Sequence, residues 1–157
     1  EERRAKYDFS DPYAHNRTVV ITTGDNTDIN EMADLEGKRT ANTISSTYAE
    51  VAERYGAEVT AVDDLNQTME LLISGRIDAT LNAEVTFYDY LKAHPDANIK
   101  IAAIDPDTTQ VAIPMRKGAE TAELLEAVNK ALAELHAEGE LTALSEKYFG
   151  TDISNAH

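Results

Sequence analysis

The chain has 157 residues, of which 42% are hydrophobic and 27% charged, the balance of a globular domain with its own core. Its 29 acidic and 14 basic side chains give a formal net charge of −15, and a surface this acidic disfavours nucleic acid and anionic lipid as partners. The absence of cysteine excludes a disulfide framework, a cysteine-based zinc site and a cysteine nucleophile.

The first half of the chain alternates short β-branched runs with helical patterns. The expected strands are residues 18–23, 38–43, 58–62 and 77–82. The expected helices are residues 30–35, a segment from a cap at residues 45–47 to about residue 55, and residues 64–74. A glycine closes each of these helices, since glycine adopts the left-handed conformation that ends a helix: Gly37, Gly56 and Gly75.

The second half continues the same alternation. Strands are expected at residues 99–104 and 111–115, and helices at residues 84–93, 121–137 and 141–148. Leucine and valine at helical spacing make the helix at residues 121–137 the clearest in the chain. The whole pattern predicts an α/β fold in which helices flank a mainly parallel sheet.

Motifs of enzymes and metal sites are missing from the sequence. No two histidines are four residues apart, and there is no HExxH, GxSxG, Walker or GxGxxG pattern. We therefore expect no metal, no cofactor and no catalytic residue.

Five short motifs follow one another along almost the whole chain. They are Arg3 with YDFSDPY at residues 7–13, DLEGKR at 34–39, GRIDA at 75–79, MRKG at 115–118, and LTALSEKYFG at 141–150. In order and spacing they resemble the polar amino-acid family of solute-binding proteins of ABC importers. NAE at residues 82–84, followed by FYDY at 87–90, is most similar to its cystine-type members.

The resemblance implies a type II periplasmic-binding-protein fold, in which two lobes close on a ligand. It implies that residues 1–14 are a remnant of lobe one and the hinge, and that residues 15–110 form a complete lobe two. Residues 111–157 are then the return segment, with helices that pack toward lobe one, and the first part of lobe one lies outside this chain.

By the same resemblance, the protein captures a polar amino acid, of which cystine is one candidate, and delivers it to the membrane permease of an ABC importer. It is expected to be extracytoplasmic, either in the periplasm or lipid-anchored at the outer face of the membrane, and not to be an enzyme. Three alternatives stay open: a receptor's extracellular amino-acid sensor module, a dehydratase-type enzyme on the same fold, and a small flavodoxin-like enzyme.

Several residues are expected to bind the ligand. Arg3 matches the family position that clamps the α-carboxylate, and its other interpretation is a solvated arginine in a charged run. Ser46 and Thr47 match a turn that opens a helix, where free N–H groups and the helix dipole attract an anion, although an ordinary helix cap has the same sequence. Ser45 replaces the usual glycine of that turn. Tyr13 is expected at the hinge, either lining the cleft or packing.

Two residues are candidates for binding the ammonium group of the ligand. The family's usual aspartate aligns with Ala83, so Asn82 or Glu84 is expected to take this role from an adjacent position. Strand alternation directs Asn82 and Glu84 away from the face of Ala83 unless the strand ends first. Glu84 has the second interpretation of an ordinary acidic residue in the first turn of a helix.

The resemblance to part of a larger protein also predicts how the chain behaves alone. Segments 1–14 and 111–157 lack their sheet partners, so strand edges and apolar surface are expected to be exposed. We expect dimerisation or strand exchange, and weak amino-acid binding by the isolated chain.

Overall fold

The computed structural model describes residues 2–43 and 46–155, except for the side chains of residues 2 and 3. The described strands are β1 (Tyr7–Phe9), β2 (Ala14–Thr23), β3 (Arg39–Thr43), β4 (Glu58–Val62), β5 (Thr80–Ala83), β6 (Ile99–Val111) and β7 (Pro114–Arg116). The described helices are α1 (Glu2–Lys6), α2 (Thr47–Arg54), α3 (Leu65–Ile73), α4 (Glu84–Ala93), α5 (Ala119–Ala137) and α6 (Glu140–Phe149), with a 3-10 turn at Met32–Leu35. None of these helices is both long and apolar enough to cross a lipid bilayer.

The chain divides into two compact units. Unit 2 is continuous and comprises Arg17–Asp107, whereas unit 1 comprises the residues up to Asn16 and those from Thr108 onward. Strands β2 and β6 each have residues in both units.

The sheet of unit 2 contains both parallel and antiparallel pairs of strands. β3 runs parallel to β4 over its whole length, and a parallel bridge joins Thr40 to Ala79, immediately before β5. β2 pairs antiparallel with β5, from Thr18 opposite Ala83 to Ile21 opposite Thr80, and also neighbours β6. Because β2 is bonded along one side of β5, β3 must lie along the other side, and β5 is the middle strand of the three.

Side chains hold β3 and β5 together where the backbone ladder is short. The Nδ2 group of Asn42 donates to the carbonyl of Leu81 at 2.7 Å. The hydroxyl of Thr80 donates to the carbonyl of Ala41 at 2.8 Å. All four residues are buried, so these hydrogen bonds satisfy polar groups that have no access to water.

Both faces of the unit 2 sheet are covered. Val19 and Ile21 of β2 pack in one apolar cluster with Met69 and Leu72 of α3, while Val20 packs in a second cluster on the other face. Alternate residues of a strand point to opposite faces, so a strand buried on both sides needs a continuous apolar run. The TVVITT run of β2 meets this requirement.

Unit 1 exposes more large apolar side chains than unit 2 does. β1 pairs antiparallel with β7 as a two-stranded ribbon, and α5 packs against α6. None of the residues of α5 is buried, although the helix has 19 residues. Several large apolar side chains of this unit are exposed, including Leu124, Leu135, Leu144 and Tyr148.

The carboxyl-terminal segment of unit 1 is held by hydrogen bonds. The hydroxyl of Ser145 donates to the carbonyl of Thr151 and accepts from the backbone N–H of Ile153. The carbonyl of Ile153 in turn accepts from the backbone N–H of His15 at 2.6 Å. This segment is therefore fixed to the start of β2.

The structure corrects three of the predicted elements. The strands expected at residues 99–104 and 111–115 are the continuous strand β6 followed by β7, because Pro106 lies in an exposed stretch where its missing N–H is tolerated. The strand expected at 77–82 begins only at Thr80, since the N–H groups of residues 78 and 79 both bind the carbonyl of Arg39. The helix expected at 30–35 is a 3-10 turn, capped by the Asp34 carboxylate.

Candidate functional site

Most of the predicted binding residues lie at one edge of the unit 2 sheet. β3 and β5 run in the same direction, so both end at this edge, where α2 and α4 begin. In open α/β sheets, ligands bind outside the carboxyl ends of the strands. We call this region, with Ser46, Thr47, Asn82, Glu84 and Arg17 of β2, the carboxyl-end edge.

Ser46 and Thr47 form the start of α2. Ser46 is the N-cap residue, with an extended backbone, and its hydroxyl accepts from the N–H of Ala49 at 3.2 Å. The hydroxyl still has its own proton to donate to a ligand. Thr47 is the first helical residue and is exposed. The predicted cap is present, and it directs the positive end of the α2 dipole toward this edge. Ser45 lies outside the described residues.

Asn82 and Ala83 are the last two residues of β5. The side-chain oxygen of Asn82 accepts from the backbone N–H of Ala83 at 2.8 Å, while its amide nitrogen donates to none of the described residues. Ala83 is buried and pairs with Thr18. The strand ends at Ala83, so alternation does not determine where the side chain of Glu84 points, and α4 begins at that residue.

Glu84 forms a two-point ion pair with Arg17. Arg17 Nε lies 2.7 Å from Glu84 Oε2, and Arg17 Nη2 lies 2.7 Å from Glu84 Oε1. The Glu84 side chain is 4% exposed and that of Arg17 is 25% exposed. Both carboxylate oxygens of Glu84 are therefore bound to an arginine of the same unit, and its use as an ammonium partner stays a prediction.

Tyr88 lies one turn further along α4. Its hydroxyl donates to Glu84 Oε1 at 3.4 Å. Burial, together with the nearby Glu84 carboxylate, raises the pKa of Tyr88. The tyrosine therefore keeps its proton and serves as a hydrogen-bond donor to the carboxylate.

Sequence analysis did not identify Arg17. Thr18 pairs with Ala83 in the β2–β5 ladder, and continuing that register by one residue places Arg17 opposite Glu84. Side chains directly opposite one another in an antiparallel pair are neighbours. The signal was a cation immediately before the buried TVVITT run, and it could be recognised only once the pairing of β2 with β5 was known.

The other predicted binding residues belong to unit 1. Arg3 lies in α1, and its side chain is outside what the structure describes. Tyr13 is half-buried, and its backbone N–H donates to the carbonyl of Val111 at 3.0 Å. Their roles toward a ligand stay predictions.

Two surface cavities lie away from these residues. One, of about 360 Å³, is lined by Gln67, Glu70, Leu71, Ser74 and Arg76 of unit 2. The other, of about 310 Å³, lies within unit 1 between α5, α6 and the segments around His15 and Ser154. Neither cavity is lined by a predicted binding residue. Across the described part of the chain, no cluster of three or more His, Asp or Glu side chains could hold a metal ion.

Comparison with known proteins identifies the family. Residues 1–151 match the model of bacterial extracellular solute-binding proteins, family 3. The chain belongs to this family. The similarity predicted from the five motifs is thereby confirmed.

Relatives in the solute-binding family include two cystine binders. The chain is 39% identical over 153 residues to the L-cystine-binding protein TcyA of Bacillus subtilis, covering 98% of this chain and 56% of that protein. It is 34% identical over 157 residues to the L-cystine-binding protein TcyJ of Escherichia coli, covering 98% of this chain and 58% of that protein. The chain thus spans little more than half the length of these relatives.

A solved structure agrees with this assignment. The L-cystine solute receptor of Neisseria gonorrhoeae, in its unliganded open conformation, superposes with a TM-score of 0.81 at 36% identity. The match covers 99% of this chain and 65% of that one. The predicted α/β fold of the type II periplasmic-binding-protein class is therefore confirmed.

Proposed function

We propose that the protein containing this chain captures a polar amino acid outside the cytoplasm and delivers it to the permease of an ABC importer. The observation that carries the proposal is the carboxyl-end edge, where the start of α2 lies beside the end of β5. This edge combines a helix N-terminus for an anion with hydrogen-bonding side chains for the rest of a small zwitterion. The names of the relatives support cystine as the first ligand to test.

The proposed ligand contacts are those that the resemblance to the family implies. Ser46 and Thr47 bind the α-carboxylate together with Arg3, because a carboxylate removed from water needs an arginine fork or several N–H donors. Asn82 or Glu84 binds the ligand ammonium through a side-chain oxygen, and Tyr13 lines the cleft at the hinge. Residues 1–14 are a remnant of lobe one and the hinge, residues 15–110 form lobe two, and residues 111–157 are the return segment, whose helices pack toward lobe one. The protein functions in the periplasm or on a lipid anchor at the outer face of the membrane.

Native mass spectrometry of the full-length gene product tests the proposal. A co-purified mass equal to that of an amino acid, lost on mild denaturation and restored by adding L-cystine, is the expected result. Isothermal titration calorimetry against a panel of polar amino acids then ranks the ligands. A full-length protein that binds none of them would contradict the function.

The chain by itself is proposed to associate with a second copy through unit 1. Its two-stranded ribbon is marginally stable alone, and the exposed side chains of α5 and α6 form an apolar surface. Light scattering at micromolar concentration should give twice the 17.2 kDa mass of one chain. The double variant Leu124→Lys with Tyr148→Lys should give the mass of a single chain. A monomeric unmodified chain would rule out this association.

A further inference from the structure

We propose that Arg17 contacts the ligand at the carboxyl-end edge, where its guanidinium binds the second carboxylate of an amino acid that has two. Glu84 is then a positioning residue that holds the guanidinium in place. The inference rests on the proposed function, and it adds a ligand class and a residue that neither the motifs nor the relatives assign.

The guanidinium of Arg17 has one bidentate face occupied and one unoccupied. An arginine can bind a carboxylate side-on, through Nε and one Nη, or end-on, through both Nη groups. Glu84 takes the side-on face, at 2.7 Å for both contacts. Arg17 Nη1 has no hydrogen-bond partner among the residues that the structure describes. The end-on face therefore remains able to bind a second carboxylate.

The difference in burial between Arg17 and Glu84 indicates which of the two contacts the ligand. The Glu84 side chain is 4% exposed and that of Arg17 is 25% exposed, so the arginine is the more accessible of the two to a ligand arriving from solvent. Tyr88 also donates to Glu84, which further fixes the carboxylate. A side chain held in this way loses little conformational freedom when it binds a ligand, and this favours affinity.

The order of strands indicates which carboxylate Arg17 binds. α2 begins after β3, and Arg17 lies in β2 opposite Glu84, with β5 between these strands. Neighbouring strands are about 4.8 Å apart, so two spacings separate these positions by about 10 Å. A single carboxylate cannot reach both groups. An elongated amino acid can place its α-carboxylate at the start of α2 and a second carboxylate at Arg17.

A matched ion pair at the opposite edge of the sheet provides the control. Arg39, the first residue of β3, binds Asp78 through Nε at 3.1 Å and Nη2 at 2.6 Å. The geometry is again side-on, and the guanidinium is more exposed than that of Arg17. If any exposed arginine attracted the ligand, Arg39 would bind it as well.

The test is a nuclear magnetic resonance titration of this chain, because that method detects weak binding. The probes are L-cystine, which has two carboxylates, and S-methylthio-L-cysteine, which keeps the disulfide and one amino-acid end. Both ligands should shift the backbone N–H signals of Ser46 and Thr47. Only L-cystine should shift the Nε–Hε signal of Arg17, and neither should shift that of Arg39.

Three variants add an affinity measurement. Arg17→Lys, which keeps the charge but loses the fork, should weaken L-cystine binding by about tenfold to a hundredfold and leave S-methylthio-L-cysteine within about twofold. Glu84→Gln should reduce the preference for L-cystine over S-methylthio-L-cysteine. It should also shift the Arg17 Nε–Hε signal in the absence of any ligand. Arg39→Lys should change neither affinity. If Arg17→Lys fails to fold, the titration of the unmodified chain decides.

The outcomes distinguish the inference from the function on which it rests. If L-cystine shifts Ser46 and Thr47 but not Arg17, or shifts Arg39 as much as Arg17, the role of Arg17 is wrong while amino-acid binding stands. If the two ligands bind the Arg17→Lys variant with unchanged affinities, the role of Arg17 is also wrong. If neither ligand shifts any signal at the carboxyl-end edge, the proposed function fails and the inference fails with it.

Discussion

Asp78 and Glu84 lie on either side of strand β5, and each binds an arginine of a neighbouring strand through both of its carboxylate oxygens. Asp78 precedes the strand and holds Arg39 of β3, while Glu84 follows it and holds Arg17 of β2. The two pairs differ in burial, since Glu84 is almost inaccessible and Asp78 is partly exposed. A four-residue strand is thus tied to both of its neighbours by charge.

The difference in burial predicts unequal effects on stability. Glu84→Ala leaves Arg17 unpaired in a largely desolvated position and should lower the free energy of unfolding by about 2–3 kcal/mol. Asp78→Ala should cost about 1 kcal/mol or less, because water screens the more exposed pair. Urea unfolding followed by circular dichroism measures both values. Equal losses would show that the burial of Glu84 has no energetic consequence.

The cap of α2 can be separated from its proposed role in binding. Ser46→Ala removes the acceptor of the Ala49 N–H and should cost about 1 kcal/mol. Asp64→Ala removes the equivalent cap of α3, where the carboxylate accepts from the N–H of Gln67 at 3.0 Å, and should cost a similar amount. Only Ser46→Ala should also weaken binding of L-cystine in the full-length protein, as calorimetry can measure. Equal weakening by both variants would remove Ser46 from the binding site.

Two positions on α3 test the packing of unit 2. Met69 is 1% exposed in the core beside Val19 and Ile21, whereas Ile73, one turn later, is 53% exposed. Met69→Ala should lower the free energy of unfolding by about 2–5 kcal/mol, through lost burial and a cavity. Ile73→Ala should change it by about 0.5 kcal/mol or less. Thermal unfolding of the two variants compares them, and a similar shift for both would contradict the packing.

Asp152 is predicted to titrate at unusually low pH. Hydrogen bonds from Ser154, Asn155 and Thr142 lower the pKa of Asp152 from 3.8 to about 2. A carboxyl group whose pKa is lower in the folded state stabilises that state above the unfolded pKa. This contribution is therefore lost as the pH falls from 3.8 toward about 2.

A carbon-13 titration of the side-chain carboxyl measures this midpoint directly. Ser154→Ala removes the strongest of the hydrogen bonds and should move the midpoint back toward 3.8. The energetic effect should be small because the carboxyl is partly solvated. An unchanged midpoint in the variant would assign the low pKa to another cause.

Local patterns in the sequence predict much of unit 2. The strand at Glu58–Val62 and the helix at Glu84–Ala93 have the predicted bounds, because β-branched alternation defines the first and the His94-Pro95 step ends the second. The N-cap at Ser46 was also predicted from residue type. In each case the decisive information lies within a few residues of the element.

Contacts between distant residues were beyond the reach of these patterns. Arg17 and Glu84 are 67 residues apart, and Arg54 and Asp105, which form an ion pair at 2.8 Å, are 51 residues apart. The pairing of β2 with β5 creates the first contact, and no local periodicity specifies that pairing. The continuous course of β6 was missed for the opposite reason, since the residues around Pro106 have the local composition of a break.

The hydrogen bonds of Asn42 and Thr80 bear on how unit 2 can be recombined with the corresponding parts of related proteins. Each bond joins a side chain on β3 or β5 to a carbonyl on the other strand. The contact between the two strands therefore depends on the residue types at positions 42 and 80. A chimaera with its crossover between these positions inherits one donor from each parent. In libraries of such hybrids, folded members should be found mainly when each parent supplies a donor side chain long enough to reach the carbonyl on the neighbouring strand.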